Sequence, residues 1–303
     1  MILTPSETAP APKAASARRS IEERLLEATN LAGTFYAPPR GKAGHVREAM
    51  TEACRARPWD ARLPPTGLRH YYGLRNGAWC DDLYLSSGAS DVRALRRALA
   101  DDGAEGLGPR ILDLGCGAGR MTRHLGPEAE TGEVWGVDIH AEAIRWAQAH
   151  LPPFHFVTTT TAPHLPFEDR SFDLVYATSV WTHIGDLDDA WLLEVRRLLK
   201  PGGRLYFTIS DAETLGRIAR EAPGHASNDH VAALHAETGM LGRPWRAFIT
   251  RTTPWRQRVV YDRADFLAHI SRWMEPRAVI PGGHGWQTAI LLAKPAAKPG
   301  GRP

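Results

Sequence analysis

The feature that most constrains this chain is the run Ile111-Leu-Asp-Leu-Gly-Cys-Gly-Ala-Gly-Arg120, a short apolar strand entering three glycines at alternate positions. Glycines there let the backbone turn tightly and let a ligand approach the main chain. A helix expected to open over Arg120–Leu125 would turn its positive end toward that ligand. A dinucleotide loop of the form GxGxxG would need glycine at 120 after Gly115 and Gly117, but arginine stands there and the third glycine is Gly119. Asp138 ends the next β-rich run, 19 residues beyond Gly119, where a carboxylate can accept both hydroxyls of a ribose. Ribose recognition alone leaves an adenosyl ligand and NAD both open.

From about residue 109 onward, strand and helix patterns alternate. Strands are expected at Arg110–Leu114, Glu133–Asp138, Phe154–Thr158, Phe172–Tyr176 and Arg204–Ile209. Ala141–His150 has helical composition and stops before Pro152 and Pro153, while Ala190–Lys200 places Leu192, Val195, Leu198 and Leu199 on one face before Pro-Gly-Gly. That alternation predicts a Rossmann-like, doubly wound, mostly parallel α/β sheet. Trp273–Ile280, a Pro-Gly-Gly turn signal and Trp286–Ala293 predict an antiparallel strand pair at the sheet end. Seven strands with an antiparallel last strand follow.

The 303 residues carry 37 basic and 34 acidic side chains, a formal charge of +3, which is too balanced for a dedicated polyanion binder. The centre is nevertheless acidic: residues 111–210 hold 8 basic and 13 acidic groups, against 16 and 13 before them and 13 and 8 after. A cofactor-binding body flanked by basic segments that meet an anionic or polar partner would have this pattern. No apolar run approaches the roughly 18 to 20 residues of a membrane span. Cys54, Cys80 and Cys116 are odd in number and widely spaced, so a reducing, cytoplasmic setting is expected without a disulfide framework or zinc site. Residues 1–20 read as a disordered tail, 21–108 as a helical cap, 109–294 as the main domain with an inserted lid at about 211–262, and 295–303 as a second tail. Within the cap, Ile21–Leu31, His45–Arg57 and Ser90–Asp102 have helical composition, the last with Val92, Leu95 and Leu99 on one face.

With Asp113, Gly115, Gly117 and Gly119 in the form DxGxGxG, the sequence resembles the class I S-adenosylmethionine-dependent methyltransferases. Leu165–Val175 resembles that family's segment before its fourth strand, and Leu198–Arg204 the segment before its fifth. The resemblance spans about 109–210 plus the terminal strands. It implies S-adenosyl-L-methionine as cofactor, with Asp113 near the methionine end and Gly115, Cys116, Gly117 and Gly119 along the ligand. It further implies that Asp138 holds the ribose and Ile139 packs on adenine. Many relatives carry an Asp for the adenine amino group where this chain has Thr161, so the neighbouring Ala162 is expected to contribute only its backbone.

Behind the fourth strand the chain reads Tyr176-Ala-Thr-Ser-Val-Trp-Thr-His183. The Asn-Pro-Pro-Tyr or Asp-Pro-Pro-Tyr of relatives that methylate exocyclic base amines or protein glutamine is missing. Ala177, Thr178 and Ser179 also offer no carboxylate for a magnesium site, which leaves Asp211 as a lone and poor ligand. His183 follows the strand at the carboxyl edge, where an imidazole can take a hydroxyl proton, so it is the expected general base; a structural histidine is the competing reading. The Thr-His ending also resembles the Ser-Val-Phe-Thr-His stretch of a methyltransferase subgroup tied to glycan and specialised-metabolite chemistry. His284 is a weaker candidate near the last strand, and Arg69, Tyr71, Tyr72 and Arg75 form a cap cluster suited to a polar ring or an acidic group. The stretch Arg243–Arg258 has five arginines among Trp245, Phe248 and Trp255. It keeps nucleic acid in view, but a substrate lid is the favoured reading. The expectation is an O-methyltransferase acting on a small-molecule or saccharide hydroxyl, with N-methylation, a non-catalytic adenosyl-binding module and a nicotinamide enzyme as rivals. Sequence leaves the oligomeric state open.

Overall fold

Strand β1 (Arg110–Leu114) sends Ile111 into one hydrophobic cluster and Leu112 into another, the period-two consequence of a pleated strand buried on both faces. The computed structural model describes residues 58–69, 72–75, 77–184, 187–221, 246–250 and 257–296. Around β1 lie β2 (Glu133–Asp138), β3 (His155–Thr158), β4 (Phe172–Ala177) and β5 (Leu199–Asp211). A hairpin of two-residue strands, Leu74–Arg75 and Ala78–Trp79, precedes them. Two further strands, β6 (Arg246–Thr250) and β7 (Gln257–Tyr261), form an antiparallel ladder of which β7 runs parallel to the end of β5. The chain closes with β8 (Glu275–His284) and β9 (Gln287–Ala293), giving the sheet order β3-β2-β1-β4-β5-β9-β8. The first five are mutually parallel, and β9 is antiparallel to both its neighbours.

Helices cover both faces. On one side α1 (Asp81–Asp101) and α3 (Ala141–His150) bring Val92, Leu95, Leu99, Ile144 and Ala147 against Ile111, Leu174, Tyr206 and Leu291. On the other, α4 (Asp188–Leu198) and α6 (Arg263–Ile270) bring Leu192, Val195, Phe266 and Ile270 against Leu112, Val175, Phe207 and Ile290. The remaining helices are the short α2 (Gly126–Thr131) and α5 (Ala212–Glu221).

Four local expectations are corrected. The helix expected over Arg120–Leu125 is a turn followed by a 3₁₀ segment, Thr122–His124. Pro127 heads α2, and its missing N–H and its ring prevent a continuous helix from reaching back past Arg123. The helix expected from Ser90 begins at Asp81, where Asp81 and Asp82 complement the positive end; Gly88 lets it approach the Arg120 carbonyl, which a Cβ would overlap. Both Pro-Gly-Gly sequences, the first expected to end a helix and the second to make a turn, lie inside strands as irregularities, with φ of +80° at Gly202 and +69° at Gly282. β5 runs through Pro201–Gly203, where Gly202 donates to the Lys294 carbonyl and Gly203 accepts from Lys294, each at 2.9 Å. β8 runs through Pro281–Gly283 on a register shift, so the turn falls at Gly285 and Trp286. Residues 1–57, Tyr71 and most of Arg243–Arg258 lie outside the described residues, as do 297–303.

Arg123, 2% exposed, ties the segment before α1 to the glycine loop. It donates to the carbonyls of Gly119 (3.1 Å), Ala118 (3.4 Å), Asp60 (3.3 Å) and Arg62, and stacks over Tyr84 and Trp146. Replacing it leaves four carbonyls short of a donor in a dry site. Arg123→Ala is therefore expected to cost about 2–4 kcal/mol in urea denaturation. A loss under about 1 kcal/mol would mean that water takes its place.

Candidate functional site

The chain winds β1, β2, β3 in one direction and returns to place β4 on the other side of β1, so the crevice outside their carboxyl ends is the switch point where open α/β sheets take ligands. The glycine loop forms one wall. Gly115, Gly117 and Gly119 have φ of +81°, +54° and +71°, which a side chain adopts only with strain. At Gly115 a Cβ would also overlap Val180 Cγ2 from the opposite wall, so the two loops meet closely. The loop is pinned to β2 by Gly115 and Cys116, whose N–H groups donate to the Val137 carbonyl at 2.8 and 3.1 Å.

Asp138, at the end of β2, accepts from Gly117 N at 2.7 Å and His140 N at 2.8 Å, which holds its carboxylate over the loop. Ile139 follows, half-buried, at the turn into α3. Thr161 is half-buried, and its carbonyl accepts from Trp191 Nε1 of α4 at 3.2 Å; the Ala162 N–H is engaged locally by Thr160 Oγ1. Asp113 is buried beneath the loop and accepts from Thr122 Oγ1 at 2.6 Å. Burial pushes its carboxyl up to about 6 despite the hydrogen bond from Thr122, the nearby Tyr176 hydroxyl and the field of Arg120. Burial likewise pushes the Cys116 thiol well up, helped by the nearby Asp113 and Asp138 carboxylates, so it stays protonated and unreactive.

The opposite wall is the turn behind β4. Ser179 has a φ of +58°, a strained value for serine, and donates its N–H to Thr208 Oγ1 of β5 at 2.8 Å. Gln287 of β9 closes the group, 2.6 Å from Thr208 Oγ1 and 2.9 Å from Ser179 Oγ. The inserted ladder holds this turn from outside: Val259 N donates to Thr182 O at 2.9 Å, and the Tyr261 hydroxyl to Trp181 O at 3.1 Å. His183 is exposed on the same turn.

Beside Ser179 lies a buried polar group that sequence reasoning assembled only in part. The Tyr72 hydroxyl is 3.1 Å from His284 Nε2 and 3.4 Å from Ser179 Oγ. His284 Nδ1 lies 3.2 Å from Asp91 of α1, and Asp91 pairs with Arg120 at 2.6 Å. The Arg120 guanidinium sits 3.8 Å from the Tyr72 ring centroid. Tyr72 and His284 stood among the candidates; Asp91 did not. Its signal was a carboxylate on the stripe that Gly88, Val92 and Leu95 bury. The rest of the cap cluster disperses. Arg69 is buried against Asp81 at 2.7 Å, and Arg75 is exposed on the hairpin.

Comparison with known proteins finds the following similarities. Residues 112–207 match the family described as methyltransferase domain. A probable phthiotriol/phenolphthiotriol dimycocerosates methyltransferase of Mycobacterium ulcerans is 37% identical over 118 residues, covering 37% of this chain and 43% of that protein. A malonyl-[acyl-carrier protein] O-methyltransferase of Methylococcus capsulatus is 32% identical over 170 residues, covering 54% and 59%. A solved S-adenosylmethionine-dependent methyltransferase from Methanosarcina mazei is 22% identical, covers 62% of this chain and 92% of its own, and has a TM-score of 0.45. The chain spans about half the length of the curated relatives that it matches. The family match spans about a third of the chain and contains the glycine loop, Asp138 and the turn behind β4.

The buried Asp113 carries a stability consequence. Its folded carboxyl keeps a proton up to about 6, above the ordinary value of 3.8, so ionisation opposes folding increasingly as pH rises from about 4 to 6, and fully above that. Asp113→Asn, which keeps an acceptor for Thr122, is expected to raise the melting temperature at pH 7 and to lose that advantage near pH 4. Equal melting curves at pH 7 would show the buried charge to be compensated.

Proposed function

We propose that this protein is an S-adenosylmethionine-dependent O-methyltransferase acting on a hydroxyl of a small molecule or saccharide. The single observation that carries the reading is the Asp138 carboxylate held over a glycine loop at the switch point, facing a polar wall built from the ends of β4, β5 and β9. The residues suit the cofactor: a carboxylate for vicinal ribose hydroxyls, a loop whose glycines leave no side chain in the way, and Ile139 beside them for an adenine face. When bound, S-adenosylmethionine supplies a methyl group already activated on sulfonium sulfur, so the chain's own work is to bind, align and manage one proton.

Gly115–Gly119 and Asp113 would line the ligand's methionine end, Asp138 would fix the ribose, and the Thr161–Ala162 backbone would border the base. Across the crevice, the Ser179 turn would receive the acceptor. A hydroxyl must lose its proton as it attacks, and two bases stand near that turn: the exposed His183 and the pair of half-buried Tyr72 and buried His284. Oxygen is favoured over nitrogen because a neutral amine needs no such base to attack. The malonyl-[acyl-carrier protein] relative is named for O-methylation, which adds analogy without fixing this chain's substrate. A soluble acceptor in the cytoplasm, without nucleic acid, fits the balanced overall charge.

Asp138→Ala tests the cofactor side. Losing its two ribose hydrogen bonds is expected to cost roughly 3 kcal/mol, or about a hundredfold in S-adenosylhomocysteine affinity by calorimetry. Unchanged affinity would remove Asp138 from the site. Wild-type protein that fails to bind S-adenosylhomocysteine would overturn the whole reading. Transfer of label from S-adenosylmethionine into small molecules of a source-cell extract is the expected activity, and label confined to nuclease- or protease-sensitive material would point to a macromolecular acceptor.

A further inference from the structure

Four residues from distant parts of the sequence meet at the acceptor side of the crevice: Tyr72 before α1, Asp91 on α1, Arg120 at the end of the glycine loop and His284 at the end of β8. They form a chain of contacts, Asp91 to His284 Nδ1 at 3.2 Å and His284 Nε2 to the Tyr72 hydroxyl at 3.1 Å. The Tyr72 hydroxyl also reaches Ser179 Oγ at 3.4 Å, on the strained turn that walls the crevice. Asp91 meets His284 as a charge partner, with no hydrogen bond to Nδ1, and a carboxylate beside an imidazole that reaches a hydroxyl is an arrangement in which that hydroxyl can exchange a proton. We infer that Tyr72 takes the proton of the methyl acceptor, with His284, Asp91 and Arg120 as its positioning residues. The inference rests on the methyl-transfer reading above and assigns the base that reading left between two residues.

Charge in the cluster supports the assignment. Arg120 is 7% and His284 5% exposed, so both act through little water. Burial alone would raise the Tyr72 phenol, but the His284 and Arg120 cations and the hydrogen bonds from Ser179 and His284 more than offset it and bring it down to about 8. Burial works against the His284 cation, yet Tyr72 and Asp91 raise it, with Arg120 opposing. Asp91 is itself held below the usual carboxylate range: burial would raise it, and His284 and Arg120 outweigh that effect. Tyr206 of β5 also feels Asp91; its phenol is pushed above the ordinary value, mainly by burial, so it remains a neutral neighbour. His183, by contrast, is exposed on its turn.

The step balances without another reactant. The acceptor O–H proton passes to the Tyr72 oxygen, the acceptor oxygen forms a bond to the methyl carbon, and the C–S bond breaks with its electron pair left on sulfur. Solvent recovers the proton from Tyr72 once product leaves.

The test has two parts on the full chain. Ultraviolet phenolate absorbance is titrated first, without cofactor or acceptor. One of the seven tyrosines is expected to ionise near pH 8, to vanish in Tyr72→Phe and to move upward in His284→Asn. No ionisation in that range, or one that persists in Tyr72→Phe, overturns the inference. Label transfer from S-adenosylmethionine into source-cell extract is then followed against pH. The expected limb near pH 8 disappears in Tyr72→Phe, with turnover about 10²–10³-fold lower and S-adenosylhomocysteine affinity intact. His284→Asn is expected to shift the limb upward rather than remove it. A limb that survives Tyr72→Phe and is lost in His183→Ala gives the role to His183 and sinks the inference. If S-adenosylhomocysteine binds but no fraction takes label, the methyl-transfer reading fails and the acceptor role falls with it, while the absorbance titration still reports whether the network itself is as described.

Discussion

The Asp91–Arg120 ion pair is where α1, the glycine loop and the polar group beside Ser179 become one structure. Arg120 ends the loop, Asp91 stands on the apolar stripe of α1, and their 2.6 Å contact fixes the helix against the loop at the point where Gly88 admits the Arg120 carbonyl. Such a pair is no bargain in free energy, because both ions leave water, and well-packed apolar residues would serve folding as well. What an apolar pair could not do is place a cation under the Tyr72 ring and a carboxylate behind His284. Asp91 therefore serves two cations. Losing it would leave Arg120 and His284 facing one another in a dry site, so the pair's value lies in position more than in stability.

Much of the fold was legible because its signals are local. The strand-to-glycine transition at Leu114–Gly115 and the carboxylate at Asp138 both declare themselves within a few residues, and period-two alternation of apolar residues places the strands. The mistakes arose where a partner distant in sequence overrides the local signal. Pro-Gly-Gly reads as a turn in isolation, yet at 201–203 the Lys294 backbone pairs with Gly202 and Gly203 and draws them into β5. The start of α1 was missed because Gly88 argues against helix until the loop that needs its bare Cα is in view.

The acceptor side was legible only in fragments. Tyr72 and His284 are separated by more than two hundred residues, and nothing in either neighbourhood announces the other. Arg120 was noticed for the glycine it replaces, although the departure from a dinucleotide loop and the cation in the polar network are the same residue. That coincidence has a physical reason. A loop carrying an adenosyl ligand without a pyrophosphate has no diphosphate to cradle at this place, which frees the position for a side chain that works on the other face of the loop.

The two walls of the crevice thus divide the chemistry by how much water each admits. The Asp138 side uses groups at a sheet edge, where Asp138 can exchange its hydrogen bonds from Gly117 and His140 for those of a ligand at little net cost. The Tyr72 side is enclosed by α1, β5 and β8, where every ionisation depends on its neighbours: His284 is raised because Tyr72 and Asp91 are there, and Tyr72 is lowered because His284 and Arg120 are. A base at the solvent rim would act from water and need none of this apparatus. Building a phenolate instead requires buried cations fixed in advance. The loss of solvation that makes them costly is also what makes their field act strongly on a developing oxyanion.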